Sequence, residues 1–217
     1  MRTMMNDVET AIKFLKEGKF IILADNESRE NEGDLVALGS RVSPETIYQM
    51  LKIANGLMCV PVSRKIAERL GFKLMVENST DPNETPFMVT TDATYEETGV
   101  TTGVSAYDRA ATIKKIADPT AKPEHFNHPG HIQPLIAQDK GIRERTGHTE
   151  ATVDLAYLAH EEPVTVIIEI LKENGKMARR DDLAKLSEKY QVPMITIPQL
   201  EKYLDENQIE YAAKLAE

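Results

Sequence analysis

The sequence predicts a single α/β domain spanning residues 1–217, with three layers around a mixed central sheet. Three observations predict it. Segments of strand and helix periodicity alternate irregularly, and two strands follow each other near the start, which a regularly alternating parallel sheet would not do. The chain is long enough to bury one sizeable core and too short for two ordinary catalytic domains. No internal repeat or low-complexity tract divides it.

The elements read in order as follows. Asn6 or Asp7 caps a helix whose apolar face is Val8, Ala11, Ile12 and Leu15, with Gly18 at its end. Lys19 to Ala24 is a short apolar strand. An acidic loop, Asp25 to Asp34 (DNESRENEGD), leads to a second strand, Leu35 to Leu38. Ser43-Pro44 opens a helix with Ile47, Met50, Leu51 and Ala54 inward and Gly56 beyond it. Leu57 to Val62 is a buried strand, and Ser63 caps a short helix ending at Gly71. Residues 78–86 (NSTDPNETP) are rich in turn formers, and Phe87 to Thr91 is a strand. Ser105 and Asp108 have the spacing of a capping box for a helix to about Ala117.

Residues 117–131 (ADPTAKPEHFNHPGH) then carry three prolines, three of the five histidines and little periodicity. They read as a long loop, and such loops in compact domains are more often functional than idle. Gly147 precedes a helix from His148 to about His160, and Val164 to Leu171 (VTVIIEIL) is the most apolar strand. Asn174-Gly175 is a tight turn. Asp181 or Asp182 starts a further helix, Met194 to Ile197 is a strand, and Pro198 opens the C-terminal helix.

Twenty-six basic against thirty-five acidic residues give a net charge of −9. That balance disfavours non-specific binding to nucleic acid or anionic membrane, and it leaves room for a small anionic substrate held by a few arginines. No apolar run approaches the roughly 18 residues of a spanning helix, and the N-terminal stretch is polar. Cys59 is the lone cysteine, so disulfides and cysteine-based metal sites are excluded within the chain. These features fit a cytoplasmic protein whose metal site, if present, uses histidine and carboxylates.

Five places could carry chemistry. Asp25, Glu27, Glu30, Glu32 and Asp34 crowd one loop and need a cation or an arginine to hold it compact, and Arg29 sits among them. The spacing does not fit a calcium loop, and hard oxygen ligands suit magnesium or manganese; the alternative is a solvated turn. In Arg145-Thr146-Gly147-His148-Thr149-Glu150, a glycine and a helix start favour phosphate, and His148 could ligate a metal; the alternative is an ordinary helix start capped by Thr149. Glu169 in the most apolar strand has a dedicated partner, or holds a proton to trade, or lies close enough to the strand end to reach solvent. Pro129-Gly130 would aim His131, a general acid–base candidate. Cys59 is most simply a core residue.

The segments RENEGD (Arg29–Asp34), GVTTGVSAYDRAATI (Gly99–Ile113), HPGHIQPL (His128–Leu135) and RTGHTEATVDL (Arg145–Leu155) together resemble the 3,4-dihydroxy-2-butanone 4-phosphate synthase family of riboflavin biosynthesis. They lie in the family's order and cover most of the chain. One departure is His128, where the family form has arginine. The resemblance implies a three-layer α/β/α sandwich and a homodimer. It implies a lyase that converts D-ribulose 5-phosphate to 3,4-dihydroxy-2-butanone 4-phosphate and formate, with magnesium or manganese, two ions per active site.

By the same resemblance His131 and Glu169 are the catalytic side chains, and Glu30 and His148 the metal ligands. Arg29, Glu30, Asp34, Arg145, Thr146, Gly147, His148, Thr149 and Glu169 bind substrate. The acidic loop with Gly33 is expected to close over the site. Residues 117–131 lack a face with which to pack on their own domain, so His131 is expected to reach a partner's site. Some family members carry a fused GTP cyclohydrolase II domain with a cysteine zinc site. One cysteine and this length point to a stand-alone enzyme or isolated domain. Two rivals are a non-catalytic metal-dependent binding module and a nucleotide or RNA binder. The first does not explain Glu169 and His131, and the second lacks a basic, aromatic-interleaved stripe.

Overall fold

Apolar side chains alternate along the strands and divide between two cores, one on each side of a single sheet. The computed structural model describes residues 7–216. Strands β1 (Ile21–Ala24), β2 (Gly33–Leu38), β3 (Cys59–Val62), β4 (Thr91–Ala93), β5 (Phe126–Ile136), β6 (Thr165–Glu169) and β7 (Met194–Thr196) form a seven-stranded sheet in the order β4-β5-β3-β6-β2-β1-β7. It is mixed: β1–β2, β2–β6, β3–β6 and β4–β5 are antiparallel, and β1–β7 and β3–β5 are parallel. Ile22, Leu35, Val60 and Ile168 face one core, and Leu23, Val36, Cys59 and Ile167 the other, as the two-residue period of a strand requires.

Helices cover both faces. Of α1 (Val8–Lys16), α2 (Pro44–Ala54), α3 (Arg64–Arg69), α4 (Tyr95–Thr98), α5 (Ala106–Ile116), α6 (His148–Leu158), α7 (Arg180–Tyr190) and α8 (Ile197–Glu206), helices α2, α3, α5 and α7 supply the first core. Helices α1, α6 and α8 supply the second. This is the expected three-layer α/β/α arrangement. Asp7 and Ser43 accept from the backbone N–H of Thr10 and Thr46 as N-caps; Asn6, the other candidate cap of α1, lies outside the described residues. Leu15, Ile47, Ile113 and Leu200 are fully buried, each worth about 1.5–3 kcal/mol of apolar transfer.

Three readings need correction. The loop expected over residues 117–131 ends at Phe126, where β5 begins and runs through His128-Pro129-Gly130-His131. Its prolines disguise a strand seated between β4 and β3, with a register shift at Thr91/Asp92. The strand expected at Phe87–Thr91 lies later, at Thr91–Ala93, while Phe87 and Met88 make only single bridges to Leu135 and Leu74. Gly33 is no loop hinge: it pairs with Ala24 as the first residue of β2, and a Cβ there would sit 2.4 Å from a Leu183 methyl. A larger residue there would have to push the Leu183 side chain aside.

Candidate active site

Strand β1 ends, β2 begins, β6 ends and β3 begins at one edge of the sheet, and the helix α6 N-terminus arrives over the same edge. The acidic loop between β1 and β2 is built around Asp25, which is 1% exposed. Its carboxylate accepts from the N–H of Glu30 (3.0 Å) and of Glu32 (2.9 Å), and from Arg29 Nη1 (3.2 Å). Arg179 donates to the carbonyls of Glu30 and Asn31, and Arg180 to that of Asp25. The compacting charges are therefore arginines, one inside the loop and two at the start of α7.

This folding brings the acids to His148. One ligand atom from each of Asp25, Glu30 and His148 lies within 4.8 Å of the others. Glu30 Oε2 is 3.8 Å from His148 Nδ1 and 2.6 Å from Arg29 Nη1. The neighbouring His148 imidazole holds Glu30 below the usual carboxylate range; burial opposes this, and Arg29 supports it. Burial pulls the His148 imidazole down, but Asp34, Glu30 and Asp25 outweigh it and raise it to about 9. Among the described residues, His148 Nε2 is a buried nitrogen with no hydrogen-bond partner. A buried imidazole with an unpartnered nitrogen, next to two carboxylates, fits a divalent cation.

Next to this cluster, Asp34 on β2 stands opposite Glu169 on β6. Asp34 is 3% exposed, and burial, with Glu169, Glu30 and Glu32 adding and His148 opposing, lifts its carboxyl to about 7. Glu169 is the last residue of β6 and only partly buried, so it lies at the strand end. It also has a dedicated donor: Leu57 N–H reaches Oε2 at 2.7 Å. Arg29, Glu30, Asp34, Arg145, His148, Thr149 and Glu169 all line one cavity of about 140 Å³, with Glu32, Cys59, Thr85 and Phe87. Cys59 faces both core and cavity; burial, then Glu169 and Asp34, push its thiol up, so it stays protonated. A larger cleft, about 700 Å³ between α3 and α6, contains none of the expected residues.

Helix α6 starts at Gly147 with no side-chain cap, so Thr149 is not capping it and the first backbone N–H groups are left for another acceptor. Arg145 Nη2 donates to the Asn83 carbonyl at 3.0 Å, and Asn83 Nδ2 donates to Glu30 Oε1 at 3.0 Å. Asn83 thus joins the arginine to the acidic cluster. Thr146 is exposed, and neither it nor Gly147 lines the cavity.

His131 stands apart. It does not line this cavity, and its side chain is 46% exposed. Asp92 on β4 fixes it: Oδ1 accepts the His131 backbone N–H at 2.9 Å, and Oδ2 is 2.7 Å from Nδ1. Gly130 lets the strands meet, since a Cβ there would lie 2.2 Å from the Thr91 carbonyl carbon. Gly103 (φ +80) passes as closely over the pair; a Cβ would sit 2.1 Å from Asp92 Oδ2. Asp108 holds that loop by accepting from the N–H groups of Thr101 and Gly103, so it is not the reciprocal half of a capping box. Asp92 and Asn83 were not legible as site residues. Asp25 had one signal, its place directly after a buried strand.

A carboxylate–histidine cluster suited to a cation, an uncapped helix start with an arginine, and facing carboxylates suit a phosphorylated, hydroxyl-rich substrate. The family model of 3,4-dihydroxy-2-butanone 4-phosphate synthase matches residues 9–203. The riboflavin biosynthesis protein RibBA of Staphylococcus aureus (strain MSSA476) is 47% identical over 212 residues, covering 97% of this chain and 53% of the relative. The chain thus spans about half the length of the curated relatives it matches. A 3,4-dihydroxy-2-butanone 4-phosphate synthase solved in complex with two magnesium ions superimposes with a TM-score of 0.88 at 34% identity, covering 94% of this chain and 99% of that one. The Candida albicans synthase gives 0.84 at 37%, covering 93% and 98%. The two-domain Acinetobacter relative, A. baumannii RibBX, gives 0.87 at 43%, covering 92% and 58%. By the extent of these matches, the chain belongs to the 3,4-dihydroxy-2-butanone 4-phosphate synthase family.

Proposed function

We propose that this chain acts as a single catalytic unit over residues 1–217, converting D-ribulose 5-phosphate to 3,4-dihydroxy-2-butanone 4-phosphate and formate, a carbon–carbon lyase step of riboflavin biosynthesis. The observation that carries the reading is the convergence of Asp25, Glu30 and His148 with Arg145, Thr149, Asp34 and Glu169 at one sheet edge. Arg145, Thr149 and the N–H groups opening α6 hold the phosphate, with Thr146 and Gly147 shaping the turn before them. Arg29, Glu30, Asp34 and Glu169 face the sugar hydroxyls. Glu30 and His148, joined by Asp25, would hold magnesium or manganese, two ions per site. Such ions acidify bound hydroxyls and stabilise a developing oxyanion.

His131 and Glu169 move the protons. Asp92 accepts the Nδ1 proton of His131, which leaves the Nε2 lone pair outward as a base. Carbon 4 of the pentulose leaves as formate while the other four carbons are rejoined, so the atoms balance without an oxidant. A homodimer with shared sites is part of the proposal. His131 rides on a packed strand, so the unpacked-loop rationale fails. Its exposure and its absence from the cavity of its own chain support delivery to a partner's site. No helix among the described residues is long and apolar enough to cross a membrane, and we read the enzyme as cytoplasmic, acting on a small molecule and not on nucleic acid or membrane. The test is formate release from ribulose 5-phosphate. No release with magnesium or manganese supplied overturns the assignment, and leaves a binding module.

A further inference from the structure

Arg145 owes its position to a residue outside the cavity. Glu150, in the first turn of α6, is fully buried, and its Oε2 accepts from Arg145 Nη1 at 2.7 Å. Its Oε1 accepts more weakly from the Gln138 N–H at 3.4 Å. Arg145 is its ion-pair partner among the described residues. A carboxylate with no water contact is costly unless paired, so the pair ties Arg145 to a helix buried over most of its length. The pair crosses the backbone at Gly147, where a Cβ would lie 2.2 Å from Arg145 Nη1 and 2.9 Å from Glu150 Oε2. A methyl group at Gly147 would therefore have to displace the ion pair.

We infer that Glu150 is a positioning residue, orienting the Arg145 guanidinium so that its remaining N–H donors meet an oxyanion in the cavity. A guanidinium is a planar fork, and anchoring it at Nη1 by Glu150 and at Nη2 by the Asn83 carbonyl leaves its plane no free rotation. The oxyanion then binds a donor already in place instead of ordering a mobile side chain. The inference rests on the reading of Arg145 as a phosphate ligand.

The experiment uses inorganic phosphate as probe on the full chain. Its dissociation constant is measured in the parent, Glu150→Gln, Arg145→Ala and the double variant, together with KM and kcat for ribulose 5-phosphate. Glu150→Gln keeps shape and should weaken phosphate, and raise KM, by about tenfold, the worth of a charge-assisted contact, with kcat within about twofold. The double variant should bind no more weakly than Arg145→Ala alone. Unchanged phosphate affinity in Glu150→Gln, or losses that simply add in the double variant, overturns the positioning role while Arg145 keeps its own. Parent-like phosphate binding by Arg145→Ala overturns the phosphate reading and the inference with it. Should Glu150→Gln fail to fold, Gly147→Ala disturbs the same pair from the backbone side. It should also weaken phosphate, and unchanged affinity there counts against the pair.

Discussion

Replacing Asp92 with asparagine tests the base assigned to His131 through hydrogen-bond logic alone. Asp92 Oδ1 accepts the His131 backbone N–H at 2.9 Å, and Oδ2 faces Nδ1 at 2.7 Å. An amide NH₂ cannot accept, so in Asp92→Asn the amide oxygen stays on the backbone N–H and the NH₂ turns to Nδ1. Nδ1 must then be the bare nitrogen and Nε2 the protonated one. The outward face of the ring changes from acceptor to donor. Restoring the original tautomer gives up that neutral hydrogen bond and sets an N–H against an N–H, at a cost of about 1–3 kcal/mol, so the competent form falls by roughly 5- to 100-fold. Turnover should fall by the same factor, on the order of tenfold to a hundredfold, with the melting temperature little changed. The assay is formate release at saturating ribulose 5-phosphate. A folded variant within threefold of parent kcat refutes the orientation argument.

Other outcomes follow from the same geometry. Glu169→Gln keeps an oxygen for Leu57 N–H and should cost turnover on the order of a hundredfold; a near-normal rate makes Glu169 a support for the turn at Gly56-Leu57. Exhaustive chelation should abolish formate release and magnesium or manganese restore it, and full activity without metal would discard the Asp25–Glu30–His148 assignment. Asp154 on α6 is raised to about 7, chiefly by burial with Glu150 adding, against the Ile142 N–H and Arg143. Native protein keeps that proton from about pH 4 to 7 while unfolded chain releases it, so stability declines as pH rises through that window, by roughly 4 kcal/mol at most. Asp154→Asn should therefore gain more unfolding free energy at pH 8 than at pH 4.5 in urea titrations, and equal gains would contradict the buried-acid account. Glu30→Gln and His131→Ser, refolded together, should recover about a quarter of parent activity if the two side chains meet across a twofold interface; none should return if one chain supplies both.

Much of this fold was legible because its strands carry uninterrupted apolar runs: β1, β2, β3 and β6 were found near their true limits, as were the helices with side-chain caps. Strand β5 was hidden. Pro129 and Gly130 break its pattern, and its pairing with β4 is shifted by an irregularity that only the partner strand reveals. Strand β4 is three residues, too short for periodicity to register. The site followed the same rule. Residues clustered in sequence, such as Glu30 with Asp34 or Arg145 with His148, were found from local chemistry. Asp92 and Asn83 act on partners 39 and 62 residues away, and nothing in their own neighbourhoods marks them.

The acidic cluster has a consequence for folding. Glu30 and His148 lie 148 − 30 = 118 positions apart, one on a loop tied down by arginines and the other on a largely buried helix. A cation gripping both would be a removable cross-link closing more than half of the polypeptide. In the chain-entropy view, a tie of that span restricts the unfolded ensemble by about 5 kcal/mol, an upper limit for a bond less rigid than a covalent one. Resistance to heat would then rise with free divalent ion even without substrate, following ordinary ligand linkage. The melting temperature would serve as a gauge of metal occupancy, and metal starvation would expose the protein to proteolysis as well as silence it.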